Sequence, residues 1–320
     1  MTPTRRQLLT IAAAMPALSL PATRVSADLA APEAANPGHV RFTLGEARIT
    51  ILTDGHLELP ADGLGINADP EEVRAFLTSY FLSPETNYAH TNHVVIELGE
   101  TRLLVDAGSG SRFLPTAGRL MRSLDEAGID PNSLTHLFIT HAHPDHIWGI
   151  RDDFDEAILP GAAKIVGAAE HAFWTEDGLA ASMPTEMQQM VVGAQNSLTV
   201  EGADWQLVSD GAELAPGIRA IDTPGHTPGH MSLVVESGDQ QLLVTGDALN
   251  HAYMNFAHPG WVNGFDMDAD QTVATRQSLL DMAASDRMAV LGYHFPFPGI
   301  GHVMRMGEAY AFVPATWRWQ

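Results

Sequence analysis

At 320 residues the chain is long enough for one large domain or two small ones, and 45% hydrophobic content supports a sizeable core. A net charge of -22 excludes the Lys/Arg density that nucleic acid or an anionic membrane surface requires. With no cysteine there are no disulfides, thiolate nucleophiles or thiolate ligands, so any metal falls to His and carboxylate.

The first segment reads as an address. Thr4-Arg5-Arg6-Gln7-Leu8-Leu9 places twin arginines before an apolar stretch, Leu8 to Leu20, that is shorter than the ~20 residues a membrane-spanning helix needs. Val25-Ser26-Ala27 offers a small-residue cleavage site, so residues 1–27 resemble a twin-arginine export signal and the expected location is periplasmic or exported. Residues 28–38 read as a linker and 39–320 as a single domain.

Val40 to Leu59 alternates apolar and polar residues around Gly45-Glu46, which predicts a hairpin. Asp69-Pro70-Glu71-Glu72 is a helix start: a cap, a proline at the first position and an acidic first turn. Asn92 to Leu98 and Arg102 to Val105 read as strands, the second running into Asp106. Thr116 to Ala127 predicts a helix stopped by Gly128. Thr135 to Ile139 is a strand that delivers T-H-A-H-P-D-H-I-W-G, residues 140–149. Lys164-Ile165-Val166 reads as a strand, Ala168 to Trp174 as a helical turn or two, and Met183 to Leu198 as a Met-rich helix. Ile218 to Ile221 is a strand leading into the tandem T-P-G-H-T-P-G-H, residues 223–230. Met231 to Val235 and Gln241 to Val244 form a second hairpin ending at Thr245-Gly246-Asp247. Asp268 to Ala284 is a helix, and Ala289-Val290-Leu291 a buried strand ending at Tyr293-His294.

The 140–149 loop carries the chemistry. His141 and His143 are two apart, so in an extended segment they point the same way, and Asp145 and His146 follow past a proline. Imidazoles for one metal and an Asp/His pair for a second fit in one turn. The other strong candidates, His230, Asp247 and His294, also sit at or beside strand ends, where sites on layered sheets converge.

H-A-H-P-D-H, then T-P-G-H-T-P-G-H, T-G-D and G-Y-H together resemble the metallo-β-lactamase superfamily over about residues 40 to 310. The resemblance implies an αββα sandwich, two mixed β-sheets with helices on both outer faces, and two divalent metal ions at one edge. Carried over, His141, His143 and His230 would bind one ion, Asp145, His146 and His294 the other, and Asp247 would bridge them. His230 is preferred to His226 because it abuts the strand from Met231; His226 and Asp106 would stand behind the ligands and orient them. Zn fits such a donor set, and Mn, Fe and Co use similar ones. The implied mechanism is attack by a hydroxide shared between the ions, with Asp145 and Asp247 as the catalytic carboxylates.

The filled Asp247 position departs from true β-lactamases, and His143 departs from the flavodiiron relatives. The segment from His294 to His302, Ala311-Phe312-Val313-Pro314, and Gly246-Asp247 with His251 are similar to the methyl parathion hydrolase group, which includes phosphotriesterases and related lactonases. Trp148 stands where that motif's tail commonly has glycine. Trp148, Phe173, Trp174, Tyr253, Phe256, Phe295, Phe297 and His302 are the candidate pocket residues, with Tyr253, His251 and His302 the candidates for protonating a leaving group. The expected activity is hydrolysis of small apolar lactones, esters or phosphotriesters, with a homodimer as the assembly considered. A glyoxalase II-like thioesterase and a non-catalytic metal-binding or sensing protein are the alternatives.

Overall fold

The computed structural model describes residues 38–200 and 203–316; the export signal, nearly all of the linker and Arg318 lie outside them. Among the described residues, fourteen strands form two seven-stranded sheets. The first runs in sequence order: β1 (His39–Leu44), β2 (Ala47–Pro60), β3 (Thr86–Leu98), β4 (Thr101–Val105), β5 (His136–Ile139), β6 (Ala163–Gly167) and β7 (Trp205–Val208). The second holds β8 (Glu213–Ala215), β9 (Ile218–Asp222), β10 (Met231–Ser237), β11 (Gln240–Val244), β12 (Ala289–Leu291), β13 (Ile300–Met306) and β14 (Ala309–Pro314). Both are mixed: β4, β5, β6 and β7 pair in parallel, as do β11 and β12, while hairpins supply the antiparallel pairs.

Strand alternation builds the layers. Ile49, Ile51, Val94, Ile96 and Leu103 face Leu233, Val235 and Leu242 across the gap between the sheets. The opposite faces, with Leu52, Val95, Leu104, Leu137 and Ile139, pack on helices α2 (Leu120–Glu126) and α6 (Thr185–Leu198). Beyond the second sheet, Leu279, Leu280 and Ala283 of α8 (Ala269–Ser285) cover Val234, Leu243 and Val290. The result is the four-layer αββα order.

Most predicted elements form where their patterns place them. The helix from Asp69 is α1 (Pro70–Ser79), with the Asp69 side chain accepting the Glu71 N–H. The helix predicted from Thr116 instead starts at Leu120. Asp54, buried on β2, accepts the N–H groups of Gly118 and Leu120, and Gly118 takes φ +83°, so residues 116–119 are held in a loop. The Met-rich helix begins after Pro184, with a separate turn, α5 (Leu179–Ser182), before it.

Candidate active site

Four loops leave the strand ends on one edge of the sandwich and converge. β5 runs into the loop holding His141 and His143 and then the short helix α3 (Pro144–Ile147), which carries Asp145 and His146. The β9–β10 connection carries His226 and His230, and Asp247 and His294 follow β11 and β12.

Three groups of donor atoms lie within 4.8 Å of one another: His141, His143 and His226; His141, His146 and Asp247; and Asp145, His146 and His294. Asp247 joins them. Its Oδ1 is 3.4 Å from His146 Nε2, while its Oδ2 is 3.3 Å from His226 Nε2 and 3.1 Å from His294 Nε2. Asp145 Oδ2 lies 3.3 Å from His294 Nε2.

His230, preferred on sequence grounds, is not in the cluster; His226 is. Both ring nitrogens of His230 are engaged. Nε2 accepts the Asp247 backbone N–H at 3.0 Å, and Nδ1 lies 2.8 Å from Thr223 Oγ1. Burial, reinforced by His226, drives its pKa down to about 3, so it is a neutral buttress that fixes the Asp247 backbone. His226 takes the place beside His143, its Nε2 2.9 Å from His143 Nδ1.

The orienting groups come from elsewhere in the chain. Asp106 lies 2.8 Å from His146 Nδ1 and also accepts the Thr140 N–H. Asp266, 2.9 Å from His226 Nδ1, is in turn 3.6 Å from the fully buried Arg276 on α8. The Glu170 carboxylate accepts four hydrogen bonds, from Ala142 N–H, Trp174 Nε1–H, Thr227 Oγ–H and Gly229 N–H. It thereby ties the His141–His143 loop to the His226 loop. No local spacing marks Glu170, Asp266 or Arg276 as part of a site.

The donor set fits divalent cations. His141 Nε2, His143 Nε2, Asp145 Oδ2, His146 Nε2 and Asp247 Oδ1 are buried and have no hydrogen-bond partner. Native structures rarely leave five such atoms converging without a ligand for them. Burial and neighbouring imidazoles hold His141 and His143 well below the usual histidine range, leaving their lone pairs free. Burial also opposes charge on His146 and His294, but Asp145 and Asp247 outweigh it, raising His146 well above its ordinary value and His294 to about 10. Protons there balance two buried carboxylates, a task that bound cations take over.

A cleft of about 670 Å³ opens onto His143, Asp145, His226, Asp247 and His294. Its wall is Leu57, Leu59, Leu64, Phe113, Met190 and Phe265, with Asn87, Asn250 and Asn263 as its amides. Most predicted pocket aromatics lie elsewhere. Trp174, Phe256 and Phe295 are wholly buried in the cores, because large rings gain most from complete burial. Trp174 backs His143 with its ring edge-on, 5.8 Å away. Phe173 packs on the α6 side and Phe297 on the intersheet core. His302 lies on β13 against Met288 O, away from the cleft. Trp148 stands behind Phe113, edge-on at 5.7 Å, and under Gly193 of α6. Tyr253 lines a neighbouring lobe of about 450 Å³ that meets the cleft at Leu64, Asn87 and His294.

Comparison with known proteins agrees with this geometry. The family model of the metallo-beta-lactamase superfamily matches residues 88–294, more than half of the chain. The chain belongs to that superfamily. Among solved structures, it is similar to AidC, described as a dizinc quorum-quenching lactonase, with a TM-score of 0.82 and 26% identity over 88% of this chain and 98% of the other. It is equally similar to the hydrolase AbOPH, with a TM-score of 0.82 and 25% identity over 89% and 100%. A hydroxyacylglutathione hydrolase of Cereibacter sphaeroides is 31% identical over 46% of this chain and 46% of its own length. The chain spans about half the length of the curated relatives it matches, or less.

Proposed function

We propose that the protein is a two-metal hydrolase that opens lactones or cleaves other uncharged carboxylic esters, with phosphotriesters as further substrates, and that residues 1–27 direct its export. The observation that carries this reading is the neutrality of the cleft. Among the described residues that line it, none is Lys or Arg, and its polar groups beyond the His/Asp cluster are three amides. Such a wall suits an uncharged apolar chain and offers no partner for the carboxylates of a glutathione thioester. Arg305, one of two basic residues near the C-terminus, is exposed and paired with Asp281.

His141, His143 and His226 would hold one ion, Asp145, His146 and His294 the second, and Asp247 both. Bound divalent ions would lower the pKa of water toward neutrality and polarise the substrate's oxygen. Asp145 is held at a pKa of about 2: burial opposes its charge, but His146 and His294 outweigh it. It is therefore ionised at neutral pH, so its carboxylate would hold an ion through Oδ2 and could accept a hydrogen bond from water beside it. Phe113, Met190 and the leucines exclude bulk water from the reacting carbon.

A panel of acyl-homoserine lactones, aryl esters, paraoxon-like phosphotriesters and lactoylglutathione, run with Zn-, Mn- and Co-loaded protein, tests the reading. Turnover of lactones or esters is expected. Faster hydrolysis of lactoylglutathione would select a thioesterase, and no turnover of anything by metal-loaded protein would leave a binding or sensing role.

A further inference from the structure

His251 occupies an unusual position. It is 7% exposed and lines the second lobe together with Tyr253, Tyr88, Ser83 and Thr86. Its Nδ1 accepts two backbone N–H groups, from Tyr253 at 3.2 Å and Met254 at 3.0 Å. A nitrogen that accepts cannot carry the ring proton, so the proton is on Nε2. Among the described residues, the side-chain hydrogen bonds of His251 to other residues are the two at Nδ1, and none to another residue runs from that Nε2–H. Burial drives the pKa of the ring down to about 4, which keeps it neutral at physiological pH. The result is a fixed, uncharged N–H donor whose tautomer is set by the backbone.

The lobes divide the substrate. His143, Asp145 and Asp247 face the first lobe, whose wall is aliphatic and aromatic, and His294 faces both. An acyl chain in the first lobe puts the reacting carbon at the cluster and sends the other side of the ester bond across His294. We propose that the second lobe receives the alcohol part of the substrate and that His251 Nε2–H donates to an oxygen lone pair within it. A neutral imidazole N–H gives up no proton here; it binds and orients, selecting alcohols that carry an acceptor oxygen over purely hydrocarbon ones.

This inference rests on the hydrolase reading, and the test separates the two. Two esters of one medium-chain acid are compared, the methoxyethyl ester and its n-butyl isostere, in which a methylene replaces the ether oxygen. The matching non-hydrolysable amides are titrated calorimetrically. Two variants split the roles of the ring. His251→Asn keeps an acceptor near the Nδ1 position for the Tyr253 and Met254 N–H groups but removes the donor. His251→Gln keeps a donor near Nε2 but removes that acceptor.

Wild-type metal-loaded protein is expected to prefer the methoxyethyl compounds by about fivefold to tenfold, the worth of one neutral hydrogen bond. In His251→Asn the preference is expected to vanish without loss of thermal stability, and in His251→Gln to survive in part. An unchanged preference in His251→Asn overturns the proposal, as does an equal loss on both compounds. If the amides show the preference while no ester is turned over, the donor role stands and the hydrolase reading falls. If esters are turned over with a preference indifferent to His251, the reverse holds.

Discussion

The Glu170 carboxylate accepts the Ala142 backbone N–H at 2.8 Å, through the peptide group between His141 and His143. Its other oxygen accepts from Thr227 Oγ and the Gly229 N–H, just past His226. All four of its partners donate. Burial raises its pKa and the donors oppose the rise. Glu170→Gln replaces one accepting oxygen with an NH₂ group and turns it on an N–H donor. We expect unfolding free energy to fall by about 2–3 kcal/mol in chemical denaturation. Both His loops should loosen together, seen as faster metal loss to a chelator.

His226 and His230 should behave as opposites. His226→Ala is expected to lower bound metal by one equivalent in elemental analysis, because it takes one imidazole from the cluster. His230→Ala should keep more metal but lose stability, since it removes the acceptor of the buried Asp247 N–H, a cost of about 1–3 kcal/mol. Equal metal loss in the two variants would contradict the reassignment.

Trp148 and Gly193 are interlocked. A Cβ built on Gly193 would come within 2.3 Å of the Trp148 indole. Gly193→Ala alone is therefore expected to destabilise by about 1–3 kcal/mol through overpacking. Trp148→Ala should cost about 3–5 kcal/mol by leaving a cavity. Because each change relieves the other, the double variant should lose at least about 1 kcal/mol less than the two singles combined. Additive losses in a denaturation cycle would show that the ring and the glycine do not share that space.

Acid should unfold the protein through its buried neutral histidines. His251 and His230 have folded-state pKa values lowered to about 4 and about 3, below the ordinary 6.5. Depressed folded values mean that their contribution is complete above pH 6.5 and is lost as pH falls through 4 and then 3. For His251 the stability lost on acidification, as the unfolded chain takes up a proton that the folded ring refuses, is on the order of 3 kcal/mol. Urea titrations at pH 7.5 and pH 4.5 should show a smaller drop in His251→Asn than in wild type.

The contiguous part of the site was legible because its residues, His141 to His146, span six positions and follow an apolar strand. The choice between His226 and His230 was not. Adjacency to β10 says where a residue lies along the chain, whereas the ligand position is set by ring orientation. That depends on Thr223, Asp266 and a turn whose geometry the repeated T-P-G-H leaves undetermined. Glu170 and Asp266 were invisible because the His-loop groups they hold lie 28 to 59 residues away along the chain, and Arg276 because a lone arginine on a helix reads as solvated surface. The pocket misled for a different reason. Aromatic residues near the motifs were the natural wall, yet Trp174, Phe256 and Phe295 fill the cores, and Leu57 and Leu59 at the far end of β2 form much of the cleft. Element positions fared better, since alternation and helical spacing are local properties. The helix predicted from Thr116 failed where one distant carboxylate, Asp54, captured its first turn.

The donors are shared between the sheets: His141, His143, Asp145 and His146 follow a strand of the first, and His226, Asp247 and His294 follow strands of the second. An ion held across that boundary would act as a rivet between two halves that also meet through an apolar layer and a few hydrogen bonds, such as Met231 N–H to Thr140 O and Thr227 Oγ to Glu170. Stripping the ions would then uncouple their breathing, so backbone amides of the two sheets should exchange with solvent at separate rates, and reloading should bring them back to one.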